Sequence, residues 1–101
     1  MPKLYEYLGL VIFFYSNEHE PVHVHGRYGD CESKAEFYIE NGEIREIVIK
    51  SVKGAKPLKG DELKNFKKLL EVYAEDIVKK WVDYFVLNRN FKVERISKRL
   101  R

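Results

Sequence analysis

A single cysteine among 101 residues, Cys31, excludes an internal disulfide, so nothing in the chain asks for an oxidising compartment and the cytoplasm is the expected location. Long apolar runs are missing too. The longest, Leu8 to Tyr15, falls far short of the roughly 20 residues that a membrane helix needs. Glu6 stands where a secretory leader would carry a basic flank, and Ser16-Asn17-Glu18-His19 offers no small-x-small cleavage site. The chain also lacks a glycine-rich phosphate loop, a CxxC pair, an HExxH helix, an internal repeat and any low-complexity segment, which removes several enzyme classes and all solenoid architectures.

What is present describes a globular protein. Hydrophobic residues make up 45%, charged residues 35% and aromatics 14% of the sequence. A chain of this length forms one domain, residues 1–101, and buries roughly two thirds of its surface around one core. Any disorder is expected only in a basic tail from about residue 90. The formal net charge of +3 hides an asymmetry: residues 1–50 carry five Lys/Arg against nine Asp/Glu, whereas residues 51–101 carry fourteen against seven. The basic excess gathers in Lys53, Lys56 and Lys59 and again in Arg89, Lys92, Arg95, Lys98, Arg99 and Arg101.

The pattern predicts an α+β fold. Leu8 to Tyr15 is apolar on both alternate faces and reads as a central strand buried on both sides. Ser16 to Pro21 is a polar loop, and Val22 to Tyr28 alternates as a half-buried strand. Gly29-Asp30 suits a type II′ hairpin turn, Cys31 to Glu40 returns as a third strand, and Asn41-Gly42 turns the chain into a fourth, Ile44 to Lys50. The result is an antiparallel four-stranded meander. After the loop Ser51 to Gly60, Asp61 is placed to cap a long helix in which Leu63, Phe66, Leu70, Tyr73, Ile77, Trp81 and Tyr84 form one apolar stripe. A helix reaching Leu87 would span about 40 Å, so a break or an overhanging end is expected. Phe91 to Ile96 reads equally as a short fifth strand or a helical turn.

All three histidines fall within seven residues, as His19-x3-His23-x-His25. On a strand, His23, His25 and Arg27 share one face while Val22, Val24 and Tyr28 point to the core. The Gly29-Asp30 turn sets Tyr28 opposite Cys31, Arg27 opposite Glu32, His25 opposite Lys34 and His23 opposite Glu36, so the histidine face also holds Glu32, Lys34 and Glu36. Cys31 points the other way, as a small buried hydrophobe.

Three readings of this face compete. His23 and His25 can present two imidazoles to one ion, zinc being the first candidate, with His19 or Glu36 completing the set; Lys34 beside the cation and the want of a fourth ligand count against it. Alternatively, a neutral and a protonated imidazole act as base and acid on a phosphodiester held by Lys34 and Arg27, which makes His23, His25 and Lys34 catalytic. Neighbouring histidines on one strand sit poorly with in-line displacement, which wants acid and base on opposite sides of phosphorus. The third reading outweighs both: the histidines cover a polar sheet face, pair with Glu36 or Glu20, and help to dock the loop or a second protein, so that His19, Arg27 and Glu36 are binding residues. Arg95, Lys98 and Arg99 read first as a solvating tail and, alternatively, as a salt-dependent attraction to nucleic acid, although no reading-head motif accompanies them.

The run Phe13-Phe14-Tyr15-Ser16-Asn17-Glu18-His19-Glu20-Pro21-Val22-His23-Val24-His25, followed by a Tyr-Gly turn and later by Ile77-Val78-Lys79-Lys80-Trp81, resembles a family of short bacterial proteins of unknown function. That family is marked by a phenylalanine-rich strand, an SN-[DE]-H-x-P-x-H-x-H motif, a glutamate-rich hairpin and a helix ending near a tryptophan. The segment Lys53-Gly54-Ala55-Lys56-Pro57-Leu58 departs from its commoner leucine-proline-arginine stretch and marks a subgroup. Such proteins are often encoded beside another small domain, in toxin-antitoxin-like pairs. The resemblance therefore implies a protein- or nucleic-acid-binding regulatory module with a partner encoded nearby, and places a site at His19, Pro21, His23 and His25. The alternative is a histidine-based or metal-assisted phosphodiesterase or ribonuclease.

Overall fold

Three tight hairpin turns, each with a glycine at positive φ, build most of the molecule. The computed structural model describes residues 2–17 and 21–101. Its elements are β1 (Lys3–Tyr7), β2 (Leu10–Phe13), β3 (His23–Tyr28), β4 (Cys31–Glu40), β5 (Glu43–Ser51), α1 (Gly60–Phe85) and β6 (Glu94–Ile96). They form a mixed six-stranded sheet in the order β5-β4-β3-β2-β1-β6, antiparallel from β1 to β5, with β6 parallel to β1.

The α+β class and the helix agree with expectation, but the meander is longer than predicted. The single central strand expected over Leu8 to Tyr15 is interrupted: Leu8 and Gly9 turn between β1 and β2 with φ of 48° and 84°. Two successive positive φ values are the geometry of a tight type I′ turn, and a leucine there gives no warning. The β3–β4 register matches the prediction pair for pair, from Tyr28 opposite Cys31 to His23 opposite Glu36. Gly29 alone has positive φ in that turn (61°), as type II′ requires, while Asn41 (54°) and Gly42 (78°) form the I′ turn into β5. Residues 94–96 settle as a strand, not a helical turn.

Helix α1 runs unbroken for 26 residues, so of the break or overhanging end expected, the break does not occur. Asp61 is not its cap. Lys59 occupies that position without a side-chain hydrogen bond, and Asp61 and Glu62 lie in the first turn, where the helix dipole favours carboxylates. The predicted stripe does face the sheet: Phe66, Leu70 and Ile77 are buried against Leu4, Tyr5, Leu10, Ile12, Phe14, Val24, Ala35 and Phe37, with Leu63, Tyr73, Trp81 and Tyr84 packed at the margin. The helix packs tightly over Gly26, where an added Cβ would lie 2.6 Å from Phe66 Cε1. Trp81 packs tilted against Phe85, with ring centres 5.0 Å apart, and its buried Nε1 has no hydrogen-bond partner among the described residues.

A polar clasp invisible in the sequence joins the helix to both strands of the far edge. Lys80 Nζ lies 2.5 Å from Asp76 Oδ2 and 3.0 Å from Glu94 Oε1 on β6, and 5.1 Å from the Tyr5 ring centre, while the Tyr5 hydroxyl donates to Asp76. Burial, with Asp76 beside it, pushes the Tyr5 hydroxyl far above its ordinary pKa, so it stays a neutral donor. Burial alone would lower Lys80 and raise Asp76. The hydrogen bonds within the clasp win, holding Lys80 up and Asp76 down as a charged pair. Arg95 Nε to Glu6 Oε1 at 3.1 Å and Leu100 N–H to the Tyr7 hydroxyl at 3.0 Å fasten the remainder of the C-terminal segment to β1. Among the described residues, no helix is long and apolar enough to cross a membrane.

Candidate functional site

The alternation Val22-His23-Val24-His25-Gly26-Arg27 divides β3 between two environments. Val24 faces α1, and His23, His25 and Arg27 turn to the opposite side of the sheet, as expected. That opposite side is not an open polar surface. His23 and His25 are only 4% and 2% exposed, and Glu32 and Glu36 are each 6% exposed. The reason lies on β2, whose outward residue Phe13 is fully buried: a strand apolar on both faces brings an aromatic layer to the second face as well.

Phe13 stacks on His25 at 5.4 Å, and Tyr15 meets both rings edge-on, at 5.1 Å from Phe13 and 4.5 Å from His25. Arg27 lies over the opposite end of this layer, 4.8 Å from the Phe13 ring centre. The two imidazoles are 5.2 Å apart, ring centre to ring centre.

Both rings are oriented through Nδ1. His25 Nδ1 lies 3.1 Å from Glu32 Oε2, and the same carboxylate accepts from the Tyr15 hydroxyl at 3.2 Å. His23 Nδ1 lies 2.6 Å from the Pro21 carbonyl oxygen, which can only accept, so the proton sits on Nδ1. In the neutral ring this makes Nε2 the lone-pair nitrogen of each histidine. The same tethering orients metal-ligating and general-base histidines.

Glu36 belongs to a second group. It accepts from Lys50 Nζ at 2.8 Å and from the Tyr38 hydroxyl at 2.8 Å, with Lys34 Nζ at 3.6 Å. The Lys50 hydrogen bond, helped by Tyr38 and Lys34, outweighs burial and holds the Glu36 carboxyl below its usual pKa; Lys50 is raised in return.

The fold thus brings His23, His25, Arg27, Lys34 and Glu36 onto one face. Histidine pairing with Glu36 is corrected: His25 takes Glu32, and Lys34 turns from its opposite neighbour His25 toward Glu36. His19 and Glu20, expected to complete a ligand set or an ion pair, lie outside the described residues. Among the described residues no group of three metal-type ligands forms. Arg95 is in β6, three strands away from β3, and Lys98 and Arg99 follow it, so the basic C-terminal group is separate from the histidines. Cys31 is only partly buried at the edge of the core.

Sequence reasoning missed Tyr15 and Phe13 as members of the histidine cluster and Glu32 as its carboxylate. The β3–β4 register already set Glu32 on that face, and the two-sided apolarity of β2 was the signal for the aromatics.

A second feature occupies the opposite end of the sheet. Helix α1 does not cover β5, and a groove of about 420 Å³ runs between them, lined by Ile44, Ile47, Ile49, Lys67, Leu70 and Glu71. It adjoins a second hollow of about 580 Å³ bounded by Ile39, Ile44, Glu75, Val78 and Lys79. The groove lies beside the outer edge of β5, which has no neighbouring strand among the described residues.

A two-layer α+β domain with a buried histidine–carboxylate–aromatic cluster and an uncovered sheet edge is the class that this fold defines. Residues 9–82 match the family model DUF4160, a domain of unknown function, and the chain belongs to that family. No curated protein and no solved structure matches it. The clasp residue Glu94 and strand β6 lie beyond the matched residues.

Proposed function

We propose that the chain is a cytoplasmic protein-binding regulatory module, one member of a toxin-antitoxin-type pair whose partner is encoded nearby, and that β5 is its binding edge. The observation that carries this reading is an open nine-residue strand beside an apolar groove. Long uncovered edges invite pairing, and natural proteins shorten, kink or cover them unless they are used. Here a bulge at Arg45 disturbs only the hairpin end, leaving residues 46–51 regular.

The backbone polarity of the edge follows from one hydrogen bond. Phe37 donates its N–H to Val22 O at 2.8 Å, so Phe37 faces β3 and its neighbours Glu36 and Tyr38 face β5. Val48, opposite Glu36, therefore turns its backbone to β4, while Ile47 and Ile49 turn theirs outward. A partner strand would add to this edge through main-chain bonds and fill the groove with apolar side chains, as in β-augmentation. Co-expression with the product of the adjacent gene, followed by light scattering and calorimetry, tests this. A complex is expected, weakened at least tenfold by Ile47→Pro, which deletes one outward N–H and leaves the β4 ladder whole. A neighbour product that does not bind, or binds Ile47→Pro equally well, would sink the reading.

Acid–base or zinc-assisted phosphodiester chemistry at His23 and His25, with Lys34 as the phosphate contact, is the second reading. It is favoured by the Nδ1 tethers, which in the neutral rings put the lone pair on Nε2. Burial of both rings ranks it second. RNA cleavage by untagged protein, lost in both His23→Gln and His25→Gln with the fold retained, would reverse that order; elemental analysis would decide whether zinc takes part.

A further inference from the structure

The side chains of β5 are complementary to themselves. Read against its own sequence in antiparallel sense, with Val48 opposite Val48, the strand places Ile47 opposite Ile49, Glu46 opposite Lys50 and Arg45 opposite Ser51. Neighbouring registers lose this. Centring on Ile47 sets Ile44 against Lys50 and Glu46 against Val48, and a shift by one residue would put apolar and charged positions on the same face.

We propose that a second copy of this chain pairs with β5 about a two-fold axis at Val48, joining two six-stranded sheets into one of twelve strands. This rests on reading β5 as the binding edge and names an occupant of it. The backbone polarity suits the register, because Ile47 and Ile49, which turn their N–H and C=O groups outward, are the residues that this pairing sets opposite each other. Each would exchange both hydrogen bonds with its counterpart. Their side chains lie on the α1 side, so the pairing extends the apolar floor of the groove across the axis and covers isoleucines that are half-buried in one copy. On the other face Glu46 meets Lys50 of the second copy twice, flanking the two Val48 side chains. Lys50, already 2.8 Å from Glu36, would then stand between two carboxylates. An isologous contact of this kind closes on itself and needs no further subunit.

The pairing also specifies which residue meets its own copy. Val48 would form a non-hydrogen-bonded pair, with Cα atoms about 4.5 Å apart, inside the range of about 4.4–6.8 Å that a disulfide spans. In a Cys31→Ser background, Val48→Cys is expected to oxidise to a covalent dimer, and Glu46→Cys in the same background to stay uncrosslinked. Sedimentation of the unsubstituted full chain should show a dimer that Glu46→Lys weakens at least tenfold, with an unchanged far-ultraviolet spectrum. A chain that remains monomeric at every concentration, or that crosslinks equally from both positions, would overturn the proposal. The outcomes separate it from the wider reading: a monomer that binds the neighbouring gene's product through Ile47 removes self-pairing alone, whereas a Val48-centred dimer that binds no such product removes the partner and keeps the dimer.

Discussion

Glu32 reaches diagonally across the β3–β4 ladder to His25, Nδ1 to Oε2 at 3.1 Å, although its directly opposed neighbour is Arg27. The carboxylate thereby fixes the imidazole from below while the Phe13 ring stacks on it from the side. Removing the acceptor leaves a buried N–H without its acceptor. Glu32→Ala should cost about 1–3 kcal/mol, measured by urea unfolding. Glu32→Gln, which keeps an acceptor oxygen, should cost less. Equal losses would mean that packing and not the hydrogen bond holds the cluster.

Gly26 is the point at which α1 comes down on the sheet. A methyl group there would sit 2.6 and 2.8 Å from two carbons of the Phe66 ring, itself fully buried. A rigid aromatic in a filled core has little room to move, so Gly26→Ala should destabilise by about 1–3 kcal/mol. Phe66→Leu in the same chain should recover part of the loss, and a double-mutant cycle by denaturant unfolding reads the coupling.

Acid stability should depend on Glu36. Its folded pKa is depressed, chiefly by the Lys50 hydrogen bond, so its contribution is fully present above the ordinary carboxylate value of about 4.3 and disappears as pH falls through the lower folded value. Lys50→Met removes the main cause of the depression. Melting curves recorded as the pH is lowered should show the gap between parent and variant closing, because the parent loses the contribution of Glu36 as it is protonated while the variant has little of it to lose. Above neutrality, the variant also lacks the pair and remains less stable throughout.

Leu8 holds φ of 48° and is 38% exposed, so it carries backbone strain without much compensating burial. Replacing it with glycine should stabilise the β1–β2 hairpin by up to about 1 kcal/mol, visible as a higher melting temperature. A loss of stability would show that the Leu8 side chain contributes more than its exposure suggests.

That same leucine explains why the sheet was only partly legible. Where glycine and asparagine mark the turns, at Gly29-Asp30 and Asn41-Gly42, both hairpins followed from the sequence, and across the first so did the register residue by residue, whereas the bulge at Arg45 after the second carries no such mark. Leu8-Gly9 lies within an apolar run and reads as strand, because the left-handed conformation of a leucine is imposed by the pairing around it and has no compositional mark. The helix stripe was legible from its period, whereas the Tyr5–Asp76–Lys80–Glu94 clasp joins residues up to 89 positions apart that no local pattern connects. For the histidines, alternation gave the correct face but not its depth. Depth depended on Phe13 and Tyr15, which lie on the neighbouring strand and just beyond it, at positions read only as apolar.

The parallel pairing of β6 with β1 has a consequence for the order in which the chain acquires its shape. Tyr5 cannot meet Glu94 until everything between them has been made, and closing so long a loop is the slowest kind of contact to form. During folding, the hairpins from β1 to β5 and then α1 can assemble while the outer side of β1 is still bare. Lys80 spends that interval with Asp76 as its only carboxylate in the clasp. The arrival of Glu94 then completes its ion pairs and covers the outer side of β1 in one event.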